Sequence, residues 1–483
     1  MDMRKSKIVC TIGPASWSRG MISSLIKKGM DVARLNFSHG DYESHRKVIG
    51  FIREESKKLK KPVAILQDLQ GIKIRVGLIT GGSVELKKGA EIFLHGGKDI
   101  SSAEHIFISY PALKKDAKIG ERILFDDGLI QALITGKTRD GLRAKIIEGG
   151  ILKNKKGVNL PHTKTSLSSF TGKDRQDLDF GLKMGIDYVA LSFVRSAGDI
   201  RVVKEWLKKR HTTLPIIAKI EKPEALDDID NILSEVEGIM VARGDLGVEI
   251  SPEEVPMLQK TLILRANEKG KLVITATQML ESMTEHTRPT RAEATDVANA
   301  VIDGTDALML SAETATGKHP LEAVRMMDKI IRFTESKFSE YRGHPLGESS
   351  LRHIEGLDSH FSDFSSAVAE AACSAAEEIK AKAIIAFTQS GFTARLVSKF
   401  RPKVPVIAFT PDSKIKRRMS LYWGVTPMLI RHLASTDAMI KEVETSLIYS
   451  KIAGKGDSIV ITAGSPMGTP GKTNLMKLHT VGE

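Results

Sequence analysis

The run Ala33-Arg34-Leu35-Asn36-Phe37-Ser38 alternates apolar and polar residues. In an extended chain successive side chains point to opposite faces, so Arg34, Asn36 and Ser38 share one wholly polar face. The same alternation in Ile216-Ile217-Ala218-Lys219-Ile220-Glu221 brings Lys219 and Glu221 together at the end of an otherwise apolar run. Read as a strand, 238–247 carries Val241, Arg243 and Asp245 on one side, and the next run carries Thr275 with Thr277. Glu221 and Asp245 are hard oxygen donors of the kind that hold Mg²⁺ or Mn²⁺ partly hydrated and shared with a substrate. The Gly244-Asp245-Leu246-Gly247 turn leads to a helix start at Ser251, where free N–H groups can take a carboxylate or a phosphate. Arginine, lysine, divalent metal and helix start together suit an anionic substrate with a moving phosphoryl group, a chemistry made mostly of positioning and charge stabilisation. No side chain is required as nucleophile. The structural alternative for Lys219 and Glu221 is an ion pair that closes the mouth of a barrel.

Residues so far apart in sequence meet only where a fold gathers the ends of their strands. Short apolar runs at 7–13, 31–38, 63–69, 187–194, 215–221, 238–247, 272–280 and 307–311 alternate with helical patterns. Ser251-Pro252-Glu253-Glu254 reads as a capping box with proline at the first helical position, and Ala294, Val297, Ala298, Val301 and Ile302 form one apolar stripe. These βα units predict an α/β fold, a TIM (β/α)8 barrel with its active site at the C-terminal strand ends. The series is interrupted at 72–168 by β-type runs such as 122–125 and 142–147 between Gly-Gly, Asp-Asp-Gly and Asp-Gly turns, which predicts an inserted small β domain. The barrel is therefore expected over 1–71 and 169–340. A polar linker is expected at 341–362, then a C-terminal α/β regulatory domain over 363–483 with buried strands at 383–388, 404–410 and 458–464. The stretch from Gly464 to Thr473 ends in Gly-Lys-Thr, but Pro466 stands where a Walker A loop requires glycine.

The 483 residues are 41% hydrophobic and 27% charged, a globular composition that excludes a disordered or fibrous chain. No apolar run reaches the ~18 residues of a membrane helix and no secretory leader is visible, so a cytoplasmic protein without membrane contact is expected. Cys10 and Cys373 belong to no metal or disulfide spacing. A net charge of +13 suits nucleic acid, an anionic surface or anionic small molecules, and a 5% aromatic content argues against stacked single strands.

Thr11 to Ser16, Arg34 to Gly40, Ala218 to Pro223, Met240 to Glu249, Ala276 to Met283, Arg288 to Asp303 and Met309 to Thr314 strongly resemble the motifs of pyruvate kinases, in order and across essentially the whole chain. The resemblance implies transfer of the phosphoryl group of phosphoenolpyruvate to ADP, giving pyruvate and ATP, with no nucleic acid as partner. It implies Lys219 and Arg34 as cations on the moving phosphoryl group, Glu221 and Asp245 as metal carboxylates, and Gly244, Asp245 and Thr277 as substrate contacts. Thr277 with Ser311 would protonate the enolate, and Arg75 and Lys156, assisted by His39, would hold nucleotide phosphates from a closing lid. A metal-dependent aldolase or lyase would share the metal carboxylates but would not need Arg75 and Lys156.

The family's potassium site would be built from Asn36, Ser38, Asp68 and the carbonyl of Leu69. Potassium-dependent members carry threonine, lysine and glutamate where this chain has Leu69, Gln70 and Lys73, which resembles the potassium-independent branch. A lysine ammonium there would stand in for K⁺, the family's usual cofactor; the alternative is a solvated lid lysine beside a site that still binds K⁺. The turn Thr388-Gln389-Ser390-Gly391-Phe392-Thr393 resembles the family's pocket for a phosphorylated allosteric effector, with Lys472 contributing charge; an ordinary capped βα turn is the alternative. The resemblance also implies a homotetramer.

Overall fold

The computed structural model describes residues 4–161, 163–342, 363–431, 436–464 and 472–483. The expected linker falls largely at 343–362, outside the described residues, after the helix Pro320–Arg342. Residues 465–471 and His162 are outside them too.

The chain first lays down β1 (Lys7–Ile12), β2 (Val32–Asn36) and β3 (Ala64–Asp68). It then leaves for β4 (Ser83–Leu86), β5 (Glu91–Gly96), β6 (His105–Ile108), β7 (Arg122–Phe125), β8 (Ile130–Lys137), β9 (Leu142–Glu148), β10 (Gly150–Lys153) and β11 (Val158–Asn159). It returns for β12 (Tyr188–Leu191), β13 (Ile216–Ile220), β14 (Gly238–Ala242), β15 (Leu272–Ala276) and β16 (Ala307–Leu310). β1, β2, β3 and β12 to β16 close into one parallel barrel, the TIM fold that the alternation predicts. Its strands are apolar on both faces because helices cover the outside and side chains fill the inside. Ile8, Cys10, Ala33, Leu35, Ile65, Val189, Ala218 and Val241 pack with the helices. Val9, Val32, Leu66, Tyr188, Ile217, Met240, Ile274 and Met309 form a second buried cluster inside the barrel.

Two boundaries and one side-chain direction differ from expectation. β14 stops at Ala242 and Arg243–Glu249 is a short helix, so Arg243 and Asp245 do not continue the strand. Thr275 faces away from the mouth, its hydroxyl donating to Thr305 Oγ1 at 3.0 Å. The Ser251 capping box does not form: the Ser251 carbonyl already takes the Glu254 N–H at 3.0 Å in a 3₁₀ turn, and the α-helix begins at Val255. Genuine capping boxes close at Thr171 with Asp174 and at Thr290 with Glu293.

The inserted segment is a six-stranded sheet, in the order β11-β7-β8-β9-β5-β6, beside a two-stranded β10-β4 ribbon. The C-terminal sheet contains β17 (Ile384–Phe387), β18 (Val406–Thr410), β19 (Val425–Leu429), β20 (Ser458–Ala463) and β21 (Leu475–Thr480), in the order β19-β18-β17-β20-β21. β21 runs antiparallel to β20. No helix among the described residues is long and apolar enough to cross a membrane.

At the N-terminal end of the barrel an acid directly precedes the second, fourth, sixth and eighth strands: Asp31, Asp187, Glu237 and Asp306. Three of them accept the N–H of the preceding strand, from Ile8 at 2.9 Å, Ile65 at 2.9 Å and Val273 at 2.8 Å. Asp31 pairs with Arg4 and Lys61, and Asp187 with Arg53 and Arg417. Glu237 pairs with Arg395, and Asp306 with Lys399 at 2.6 Å and Arg401 at 3.0 Å. Arg395, Lys399, Arg401 and Arg417 come from the C-terminal region, so Asp187, Glu237 and Asp306 dock it beneath the barrel, while Asp31 ties segments of the barrel itself.

Candidate active site

The inward parity of the strands changes chemistry towards their C-terminal ends. Below lie Val9, Val32, Leu66, Ala190 and Ile217; two residues further on stand Thr11, Arg34, Asp68, Ser192 and Lys219. They form one network. Arg34 donates to Asp68 Oδ2 through Nε at 2.7 Å and to Thr11 Oγ1 at 2.9 Å. Lys219 Nζ lies 2.8 Å from Glu221 Oε1 and 3.3 Å from Asp68 Oδ1, and donates to Ser192 Oγ at 2.8 Å. The Ser192 hydroxyl donates to the Leu69 carbonyl at 2.8 Å, and Glu221 Oε2 accepts the Phe193 N–H at 2.8 Å. Asp68 and Glu221 are wholly buried, a placement that is tolerable only because two cations share them.

The charges tune one another. Burial alone would lower the pKa of Lys219, but the Asp68 and Glu221 carboxylates outweigh it and hold the ammonium above its ordinary value. Burial would likewise raise Asp68, yet Lys219 and Arg34 bring it below the usual carboxylate range. Glu221 goes the other way: burial raises it against the pull of Lys219, and the Asp245 charge adds to the rise. Two carboxylates whose charges repel, in a mouth that also holds cations, fit a hard divalent ion that would take oxygens from both. Asp245 occupies the first turn of Arg243–Glu249, so the helix start of this region lies there and not at Ser251.

The backbone around the network is unusual. Phe193, Thr277 and Gln278 lie at φ 54°, 66° and 53°, a left-handed conformation that a β-branched threonine adopts only under constraint. Thr277 Oγ1 accepts the Gly244 N–H at 2.7 Å and donates to the Ala276 carbonyl at 2.6 Å, and a Cβ at Gly244 would stand 3.4 Å from it. Arg243 does not share the site. Its guanidinium turns back to Asp296 at 2.6 Å and to the Thr277 carbonyl at 2.7 Å, locking the strained turn from behind. Ser311 Oγ is buried with no hydrogen-bond partner among the described residues, while its N–H donates to Glu313 at 2.6 Å.

A family model described as the pyruvate kinase barrel domain matches residues 3–324, and one described as the pyruvate kinase alpha/beta domain matches residues 366–479. The chain belongs to the pyruvate kinase family. The pyruvate kinase of Geobacillus stearothermophilus is 44% identical over 487 residues, 99% of this chain and 81% of the relative. That of Sporosarcina psychrophila is 45% identical over 489 residues, 100% of this chain and 81% of the relative. A crystal structure of a pyruvate kinase from Cryptosporidium parvum superposes with a TM-score of 0.91 at 37% identity, covering 99% of this chain and 96% of that one.

The other residues that the pyruvate kinase resemblance singles out lie around this mouth and in the C-terminal region. Asn36 Oδ1 accepts the Ser38 N–H at 3.1 Å, and the His39 carbonyl is 3.0 Å from His45 Nε2. Arg75 and Lys156 sit at the root of the inserted sheet, where Arg75 bridges to Gly157. Arg75 Nη1 donates to the Lys155 carbonyl at 2.9 Å and Lys156 pairs with Asp126 at 2.7 Å. Lys73 is exposed and runs past Gly157, where a Cβ would lie 3.6 Å from its Cε; no ion pair joins it to Asp68. In the C-terminal turn Thr388 Oγ1 accepts the Gly391 N–H at 2.9 Å and Thr393 Oγ1 lies 2.8 Å from Thr473 Oγ1. Ser390, within the turn, and Lys472, directly before Thr473, are both exposed. Sequence reasoning missed Ser192 and Thr11; each stands two residues beyond an inward apolar residue, the parity that could have found them.

Proposed function

We infer that the barrel mouth is where phosphoenolpyruvate passes its phosphoryl group to ADP, giving pyruvate and ATP. The observation that carries this is the pair of cations, Arg34 and Lys219, held at one mouth by the buried Asp68 and Glu221. Lys219, kept protonated by its neighbours, and Arg34 stabilise charge on the phosphoryl oxygens as it moves. Gly244, Asp245 and Thr277 contact the substrate, and Glu221 and Asp245 would hold a divalent ion, Mg²⁺ or Mn²⁺. Such an ion supplies further positive charge against the developing negative charge. Thr277 Oγ1 and Ser311 Oγ, which has no partner among the described residues, serve the proton delivery that turns enolate into pyruvate. Arg75 and Lys156 release their present partners to take nucleotide phosphates, with His39 nearby. An assay coupling phosphoenolpyruvate and ADP to pyruvate release, with and without Mg²⁺, tests the reading. Turnover should require Mg²⁺, and Glu221→Gln should raise the Mg²⁺ concentration needed; an unchanged requirement would move the ion elsewhere.

Potassium independence is part of the same reading, with the Lys73 ammonium serving in place of K⁺ beside Asn36, Ser38, Asp68 and Leu69. Its exposed position requires the side chain to swing inward when substrate binds. Turnover in potassium-free buffer should be substantial and Lys73→Glu should create a K⁺ requirement; many-fold stimulation of the unaltered enzyme at constant ionic strength would overturn this. A phosphorylated effector at Thr388, Ser390, Gly391 and Thr393, with Lys472, and a homotetrameric assembly complete the reading. Loss of sugar-phosphate activation in Ser390→Asp and the mass from solution scattering check them.

A further inference from the structure

We propose that Glu249 is a positioning residue that latches the inserted domain to the barrel helix carrying Asp245, and so sets the angle at which the nucleotide is offered. The consequence for the nucleotide rests on the reading above that Arg75 and Lys156 receive its phosphates.

Glu249 is the last residue of the helix Arg243–Glu249, one turn beyond Asp245, and only 4% of it is exposed. Its Oε1 accepts from two elements at once: Asn159 Nδ2 at 2.7 Å and Lys222 Nζ at 2.6 Å. Asn159 belongs to β11, the short strand that pairs with β7 and follows directly on Lys156 and Gly157. Lys222 is the neighbour of Glu221 in sequence. One carboxylate therefore touches the strand next to the nucleotide cations, the helix of one candidate metal ligand and the residue after the other. The three residues line a cleft between barrel and insert together with Asp245, Asp127 and Lys73.

The chemistry of the two partners differs in a useful way. Lys222 neutralises the buried carboxylate, so the Glu249 charge stays compensated whatever the inserted domain does. Asn159 is neutral and can leave without stranding a charge on either side. The latch thus opens by giving up one amide hydrogen bond, while the barrel half of the triad remains intact. Glu249 Oε2 makes no hydrogen bond among the described residues, which leaves an acceptor at the hinge line for a second lid position.

The test uses the full-length enzyme and a polarity swap. Asn159→Asp sets two carboxylates against each other and should speed hydrogen–deuterium exchange of the 156–160 backbone. It should also raise KM for ADP by roughly tenfold, the size of one lost hydrogen bond to a charged group, with KM for phosphoenolpyruvate little changed. Adding Glu249→Gln restores a donor facing an acceptor, with Lys222 beside both, and should bring exchange and KM back towards their original values. A double variant at least as impaired as Asn159→Asp, unaltered exchange, or equal rises in both KM values would overturn the latch. Lys156→Ala, measured alongside, isolates the nucleotide reading: an unchanged KM for ADP there, with exchange still rescued by the swap, would sink that reading and leave the latch standing.

Discussion

The two ends of the barrel are built from the same strands and use the same residue types in opposite ways. At the N-terminal end each of Asp31, Asp187, Glu237 and Asp306 has its own cations, drawn from other segments, and three of them also tie a neighbouring strand N–H. At the C-terminal end Arg34 and Lys219 share Asp68 and Glu221 within one cluster. Beside it lie left-handed residues at Phe193 and Thr277 and, at Ser311, a hydroxyl with no partner among the described residues. In the lower arrangement three of the four acids spend their charge on holding a second domain, and Asp31 on tying Arg4 and Lys61 to the barrel. The upper one keeps buried charge concentrated and backbone under strain where a substrate can use it, the division of labour expected of this fold.

The largest effect that sharpens the contrast is at the top. Lys219→Met should cost several orders of magnitude in turnover, because a charge aimed at the transition state disappears. It also leaves Asp68 and Glu221 facing each other, so the variant should be less stable at pH 7 and recover part of that loss near pH 5, where carboxylates take up protons. Steady-state kinetics and melting curves read both; near-normal turnover would remove Lys219 from the chemistry.

Next comes the bottom. Asp306→Asn leaves Lys399 and Arg401 as buried cations without their acid, a break worth about 3–5 kcal/mol, and the melting temperature should fall by several degrees. Turnover per folded molecule should stay within about threefold, as expected for a change remote from the chemistry. A kinetic loss as deep as that of Lys219→Met would erase the distinction between the ends.

The smallest effect concerns pH. Burial lowers the Lys271 pKa from 10.5 to about 8, and its ammonium donates to the Val236 carbonyl at 3.0 Å near Arg395. Between pH 8 and 10.5 the unfolded chain binds a proton there that the folded chain has released, so this lysine's contribution to stability improves as pH rises through that window. Lys271→Met should therefore be more stable relative to the parent at pH 7 than at pH 10.5. A difference in melting temperature that does not change with pH would contradict it.

The barrel was legible because eight apolar runs with helical spacers admit few other folds, and Arg34, Lys219 and Glu221 because strand parity fixed their side. Arg243 and Asp245 were misplaced onto a strand because a five-residue stretch such as Val-Ala-Arg-Gly-Asp fits a period of two as easily as the first turn of a helix. β19 and β21 escaped notice, the one holding Pro427 and the other alternating Met476, Lys477, Leu478 and His479 on an edge. The acids before alternate barrel strands were visible as letters, but only the fold shows that Asp187 and Arg417 meet.

The inserted sheet has a consequence for how the molecule assembles. β3 and β12 pair side by side, Leu66 with Tyr188 and Asp68 with Ala190, although about 120 residues separate them. Closing so long a flexible loop, against an ordinary crossover of about 25 residues, costs about 1.4 kcal/mol more in chain entropy and defers the last barrel contacts. The insert removes much of this by tying its own ends together: Val76 N–H donates to the Lys156 carbonyl at 2.9 Å and Val158 N–H to the Ile74 carbonyl at 3.0 Å. Once that knot has formed, the host chain is left with a connection hardly longer than any other in the barrel, and an excursion of this size becomes nearly invisible to the folding of the scaffold that carries it.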